Sequence, residues 1–124
     1  MRRRASVSSS PRSVAVEFAP ENGKLTEAAY APQVRAPERT VRLELAKSEG
    51  APMLLKVSNP FAQPLKYDAS IEIVGRDGKA QKLRRTSTCA VAPGAAAFEM
   101  WPEAIARVQA ENFRLLAAGD TSCK

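Results

Sequence analysis

Beyond the first dozen positions, apolar and polar residues alternate with period two over most of the chain, the spacing that sends successive side chains to opposite faces of an extended strand. The longest run is Leu65–Ile73, where Leu65, Tyr67, Ala69, Ile71 and Ile73 share one face and Lys66, Asp68, Ser70 and Glu72 the other. A second run sets Val41, Leu43 and Leu45 against Arg42 and Glu44. Ser48-Glu49-Gly50-Ala51-Pro52 then supplies turn residues, so Met53–Ser58 is expected to return as the second arm of a hairpin. Asn59-Pro60 stops that arm, because proline has no N–H for the ladder and restricts the residue before it. Val14, Val16 and Phe18 mark a shorter strand near the start.

Later segments read less cleanly. Gly75-Arg76-Asp77-Gly78 accepts the positive φ of a tight reversal and predicts a hairpin into Lys79–Arg85. Thr86–Val91 reads as a strand, Ala92-Pro93-Gly94 as a turn, and Ala95–Met100 as a strand with Phe98 and Met100 directed inward. The three-residue spacing of Ile105 and Val108 after Pro102 predicts a short helix near 102–109, followed by a last strand at Asn112–Leu116. Between Pro20 and Glu38 the residues Pro20, Asn22, Gly23, Pro32 and Pro37 interrupt any period. That stretch reads as a long irregular connection, with a turn of helix at Thr26–Tyr30, or as an edge ribbon. About seven short strands with turns every 8–12 residues predict an all-β fold, an antiparallel sandwich of two sheets. A small barrel is the alternative. An open α+β sheet is disfavoured because no long amphipathic helix is available to cover it.

Composition narrows the picture. The 124 residues make one domain, and 22 of them are alanine, so the core is thin. The formal charge is +6, but Arg2, Arg3, Arg4 and Arg12 stand in a segment without acids, leaving 15 basic against 13 acidic residues elsewhere. Residues 1–12 are therefore expected to be a disordered, basic Arg/Ser-rich tail on a single domain spanning 13–124, and the nearly neutral body argues against a nucleic-acid partner. Transit peptides share the composition of the first sixteen residues. The chain has no apolar run long enough to span a bilayer and no apolar segment of the secretory type near its start.

Candidate chemistry is sparse. There is no histidine, which removes the usual base near neutral pH and the usual metal ligand. Without it, a hydrolytic nucleophile would depend on a carboxylate or on a lysine such as Lys56 or Lys66. Asp68 and Glu72 share a solvent face and read as solvated acids, the glycines form no phosphate cradle, and no metal or cofactor is expected. Cys89 and Cys123 match neither a redox pair nor a zinc set; a structural disulfide and two free thiols both remain open. Arg2-Arg3-Arg4-Ala5-Ser6-Val7 has the form favoured by basophilic kinases, with Ser6 as acceptor, although such motifs arise readily in Arg/Ser tails. Candidate binding residues are Trp101 and Phe61 beside turns and the basic cluster Lys82, Arg84 and Arg85. A tryptophan plugging the sandwich end and cations guarding an edge strand are the structural alternatives.

The segment Val57-Ser58-Asn59-Pro60-Phe61-Ala62-Gln63-Pro64-Leu65-Lys66-Tyr67-Asp68-Ala69, with the later Pro93-Gly94 turn, resembles immunoglobulin-like (fibronectin-III-like) domains of bacterial envelope and accessory proteins over about residues 41–116. The position of Trp101 between the two cysteines departs from the antibody pattern, so no antibody function carries over. A similar pattern occurs in a bacterial family of intracellular proteinase inhibitors. The resemblance implies a non-enzymatic accessory domain, periplasmic or secreted and otherwise cytoplasmic, that binds a protein partner through loops or a strand edge. An anionic-surface or nucleic-acid binder using the N-terminal arm and a small proteinase inhibitor are the alternatives.

Overall fold

The structure is a computed structural model that describes residues 5–8, 12–21, 24–30, 36–47, 53–75, 77–79, 83–102 and 105–123. Nine strands appear among them: β1 (Ala5–Ser8), β2 (Ser13–Glu21), β3 (Lys24–Tyr30), β4 (Thr40–Lys47), β5 (Met53–Ser58), β6 (Leu65–Ile73), β7 (Arg84–Thr86), β8 (Ala96–Trp101) and β9 (Ile105–Leu115). A 3-10 turn at Pro37–Arg39 is the one helical element described. All pairings are antiparallel, in a four-stranded sheet of order β1-β9-β6-β7 and a five-stranded sheet of order β3-β2-β4-β5-β8. The all-β sandwich expected from the alternation is the architecture found.

The core lies between the sheets. Val41, Leu43, Leu55 and Val57 from one sheet and Leu65, Tyr67, Ile71 and Val108 from the other are at most 1% exposed. Full burial of such side chains contributes about 1.5–3 kcal/mol each, the main force holding the layers together. Phe113 sits between Phe18 and Tyr67, with ring centroids 5.2 and 5.6 Å away. Two consecutive pairs, β5–β6 and β8–β9, each cross from one sheet to the other, and β5 pairs with β8 while β6 pairs with β9. The connection after β5 is organised by Asn59, whose Nδ2 donates to the carbonyls of Gln63, Val91 and Ala92 and whose Oδ1 accepts from the Phe61 N–H.

Several expectations are corrected. The helix near 102–109 is absent; β9 runs straight through that region. Its buried residues are Ile105, Val108, Ala110 and Phe113, because the pairing with β6 shifts by one residue near each end. Each bulge inserts an extra residue, and a helical spacing of two apolar side chains results without a helix. Asn112, at φ 56°, supplies the left-handed residue at the second shift. The Pro20–Glu38 stretch holds the end of β2 and all of β3, so the ribbon reading describes it and the helical turn at Thr26–Tyr30 does not. Ala5–Ser8, expected within a disordered tail, pair with β9, and Val7 is 1% exposed against Val108. Residues 1–4 lie outside the described residues, as does the hairpin turn at 48–52.

The strand expected at Thr86–Val91 is interrupted. Thr86 ends β7, and Val91 rejoins β6 by reciprocal backbone bonds with Leu65, but residues 87–90 leave the ladder between them. Lys66 explains the detour. Its position on β6 is outward, yet it is 3% exposed, and its Nζ donates to the carbonyl of Thr88. The Thr88 hydroxyl donates in turn to the Tyr67 carbonyl at 2.7 Å. A disulfide joins Cys89 to Cys123, and the Ala90 N–H donates to the Ser122 carbonyl, so the C-terminal segment is stapled over this detour.

Candidate functional site

β8 forms one rim of the five-stranded sheet. The Asn59 N–H donates to the Ala95 carbonyl in register with the β5–β8 ladder, so the bonded positions of β8 are the odd-numbered ones. Ala96, Phe98 and Met100 consequently turn their backbone N–H and C=O groups away from β5, where no further strand lies among the described residues. Their side chains occupy the outer face, where Phe98 is 58% and Met100 63% exposed. This reverses the inward direction expected for both.

The parity of β8 is fixed from the core side. Trp101 is buried, and its Nε1–H donates to Thr86 Oγ1 at 3.2 Å. Two residues earlier, the half-buried Glu99 accepts the Cys89 N–H on Oε2 at 3.0 Å. With Trp101 and Glu99 committed inward, Phe98 and Met100 must face out. On the same outer face Leu54 stands opposite Met100 and Lys56 opposite Phe98.

The Trp101–Thr86 bond joins the end of β8 to β7, the strand that carries two of the candidate residues. Arg85 lies opposite Ser70 on the outer face of the four-stranded sheet, turned away from β8, and Arg84 lies opposite Ile71 on the other face. Both are exposed; Arg85 also approaches Asp68, at 3.6 Å. Trp101 itself is no exposed anchor and serves as the plug of this end. Phe61 is likewise buried, at 7% exposure, and its carbonyl accepts the Gly94 N–H, far along the chain from Arg84. Lys82 lies outside the described residues.

The two rims on this side differ in chemistry. β7 is three residues long and carries two arginines, the kind of edge that resists pairing with another strand. β8 is six residues long, and its one charged residue, Glu99, points inward. The free edge at β8 was missed in the sequence because both parities of Ala96-Ala97-Phe98-Glu99-Met100-Trp101 contain large apolar side chains; the inward acid Glu99 was the misleading signal.

The outer face of the four-stranded sheet holds a shallow cleft of about 220 Å³ walled by Lys66, Asp68, Arg85 and the hydroxyl residues Thr86, Ser87 and Thr88. Burial raises the Asp68 carboxyl, but the Asn112 amide, Arg114 and Arg85 together hold it below the usual carboxylate value. Burial, reinforced by Arg114, lowers the Lys66 ammonium. Each of these groups already has a protein partner: Asp68 accepts from Asn112 at 2.9 Å and Arg114 at 3.2 Å, and Lys66 is held by Thr88. Among the described residues no group of Cys, Asp or Glu is placed to hold a metal ion. A cavity of about 300 Å³ opens between the sheets at Leu45, Met53 and Ile105, next to segments outside the described residues. No helix among the described residues is long and apolar enough to cross a membrane. No protein-family model, curated protein or solved structure matches the chain.

Proposed function

We propose that the chain is a non-enzymatic protein-interaction domain that takes up an extended segment of a partner protein along β8. The observation that carries this reading is a six-residue edge that no other strand among the described residues covers, with no outward charge of its own and with Phe98 and Met100 exposed. Strand addition answers both halves of that surface: main-chain bonds satisfy the edge, and alternate side chains cover the outer apolar face. The crossed β5–β8 and β6–β9 pairs support an immunoglobulin-like relationship, since such sandwiches place successive strands in opposite sheets in this manner. The Cys89–Cys123 disulfide supports a periplasmic or secreted setting, because such bonds persist in oxidising compartments.

A photo-crosslinking residue at position 98 of the full chain tests the reading in the native host, with position 42 on the outer face of β4 as control. The expected result is an adduct from position 98 alone, joined to an extended segment of another chain, with slowed amide exchange at Phe98 and Met100 in the isolated complex. Unchanged exchange at those two amides within a complex overturns it.

A further inference from the structure

We propose that the cavity between the sheets beside the start of β2 binds a small amphiphilic carboxylate, its apolar tail inserted next to Leu45, Met53 and Ile105 and its head paired with Arg12. The inference goes beyond strand addition at β8 and does not rest on it.

The space follows from how the core is filled along its length. The packed rings of Phe18, Tyr67 and Phe113 lie towards one end of the sandwich. Tyr67 stands near the Leu65 start of β6, and Phe18 follows the part of β2 that pairs with β4. At the other end β6 meets β9 at Ile73 and Ile105, and β4 meets β5 at Lys47 and Met53. There the cavity of about 300 Å³ is walled by Leu45, Met53, Val74, Ile105 and Ala106, with Ser8 and Arg12 as its polar residues. Leu45, Met53 and Ile105 are each at most 8% exposed, so this apolar wall belongs to the core and not to the surface. An apolar cavity of about half this size takes up benzene, because an apolar guest restores contacts that water does not make there. Twice that space admits a linear tail of about eight carbons.

Arg12 supplies the chemistry of the head group. Its carbonyl accepts the Leu45 N–H at 2.7 Å, which fixes the residue beside the apolar wall. Among the described residues no acid lines the cavity, and no hydrogen bond or ion pair engages the Arg12 guanidinium. A carboxylate matches the guanidinium fork with two parallel N–H···O bonds, whereas an ammonium is repelled and a hydroxyl brings no charge. An apolar wall with a single cation at its edge therefore selects an anionic amphiphile over neutral and cationic ones with the same tail.

Titration of the oxidised full-length chain with octanoate, octanol and octylammonium, each below its aggregation concentration and followed by nuclear magnetic resonance, tests the proposal. The expected result is saturable shifts of the Leu45 and Ile105 methyl groups with octanoate, about tenfold tighter binding of octanoate than of octanol, and weakest binding of octylammonium. In Arg12→Gln the advantage of octanoate disappears. Ala106→Leu, which fills part of the space, weakens octanoate and octanol together. Circular dichroism checks the fold of both variants, and the comparison of the three probes on the wild type stands without them. Equal binding of the three probes overturns the pairing with Arg12, as does an octanoate preference that persists in Arg12→Gln. Shifts confined to Phe98 and Met100 place the probes on the exposed face of β8 and overturn the site, and so does the absence of shifts with every probe. None of these outcomes bears on strand addition at β8, which is read from the crosslink at position 98.

Discussion

On the outer face of the four-stranded sheet, Glu72 meets Arg107 at 2.7 Å and Asp68 meets Arg114 at 3.2 Å, so each of these two carboxylates of β6 finds an arginine on β9. At the far rim of the other sheet, β8 turns Phe98 and Met100 to solvent instead. Both surfaces come from strands with period-two alternation. The period tells which side chains share a face, but the neighbours decide which face is covered. On β6 five apolar residues on one side leave no choice; on β8 Trp101 alone outweighs Phe98 and Met100 because it reaches Thr86 across the core.

The most severe way to break this contrast is Trp101→Ala, which removes the residue that fixes the parity of β8. Truncating a buried aromatic costs about 3–5 kcal/mol. Phe98→Ala on the same strand is expected to stay within about 0.5 kcal/mol of the wild type. Denaturant titration of the two variants checks the difference; comparable losses would mean that Phe98 packs as a core residue.

A smaller effect is expected from Lys66→Ala, which leaves the Thr88 carbonyl without its buried donor and costs about 1–3 kcal/mol. The sign of its pH dependence is also set. Burial lowers Lys66 below 10.5, so the unfolded chain binds more protons in the window beneath that value. The wild type should gain stability over the variant as pH rises towards 10.5, and a pH-independent difference in denaturant midpoint would contradict the burial of the ammonium.

The smallest effect sharpens the charged side of the contrast. The Asp68 carboxyl lies below its ordinary value of 3.8, so its stabilising contribution is complete above that pH and is lost as pH falls through the lower folded value. The melting-temperature gap between the wild type and Asp68→Asn should therefore close in acid. A gap that is constant into that range would show that the Asn112, Arg114 and Arg85 contacts do not favour the carboxylate.

Much of the centre of the fold was legible in residues. The β4–β5 hairpin and β6 follow from Val41, Leu43 and Leu45, the turn residues after them, and the nine-residue run ending at Ile73. β9 was obscured because its bulges change the inward parity between Ile105 and Val108 and again between Ala110 and Phe113, which a period count reads as a helix followed by a strand. The candidate site was legible only in fragments. Trp101 and Arg84–Arg85 were singled out for separate reasons, and nothing in their spacing shows that β7 and β8 meet at the Trp101–Thr86 bond or that Arg85 turns to the opposite face, towards Asp68. Lys66 has the alternation of a wet residue, and its burial depends on a segment more than twenty positions away.

By itself the sequence determined the strand-rich class, the central hairpin and the absence of histidine chemistry, since these rest on residue type and on correlations over a few neighbouring positions. Tertiary structure decided which face of β8 is dry, where β1 docks, how Cys89 meets Cys123 and why Lys66 is enclosed. Those outcomes depend on contacts between segments distant along the chain, and local alternation has the same period whichever of its two faces the rest of the molecule covers.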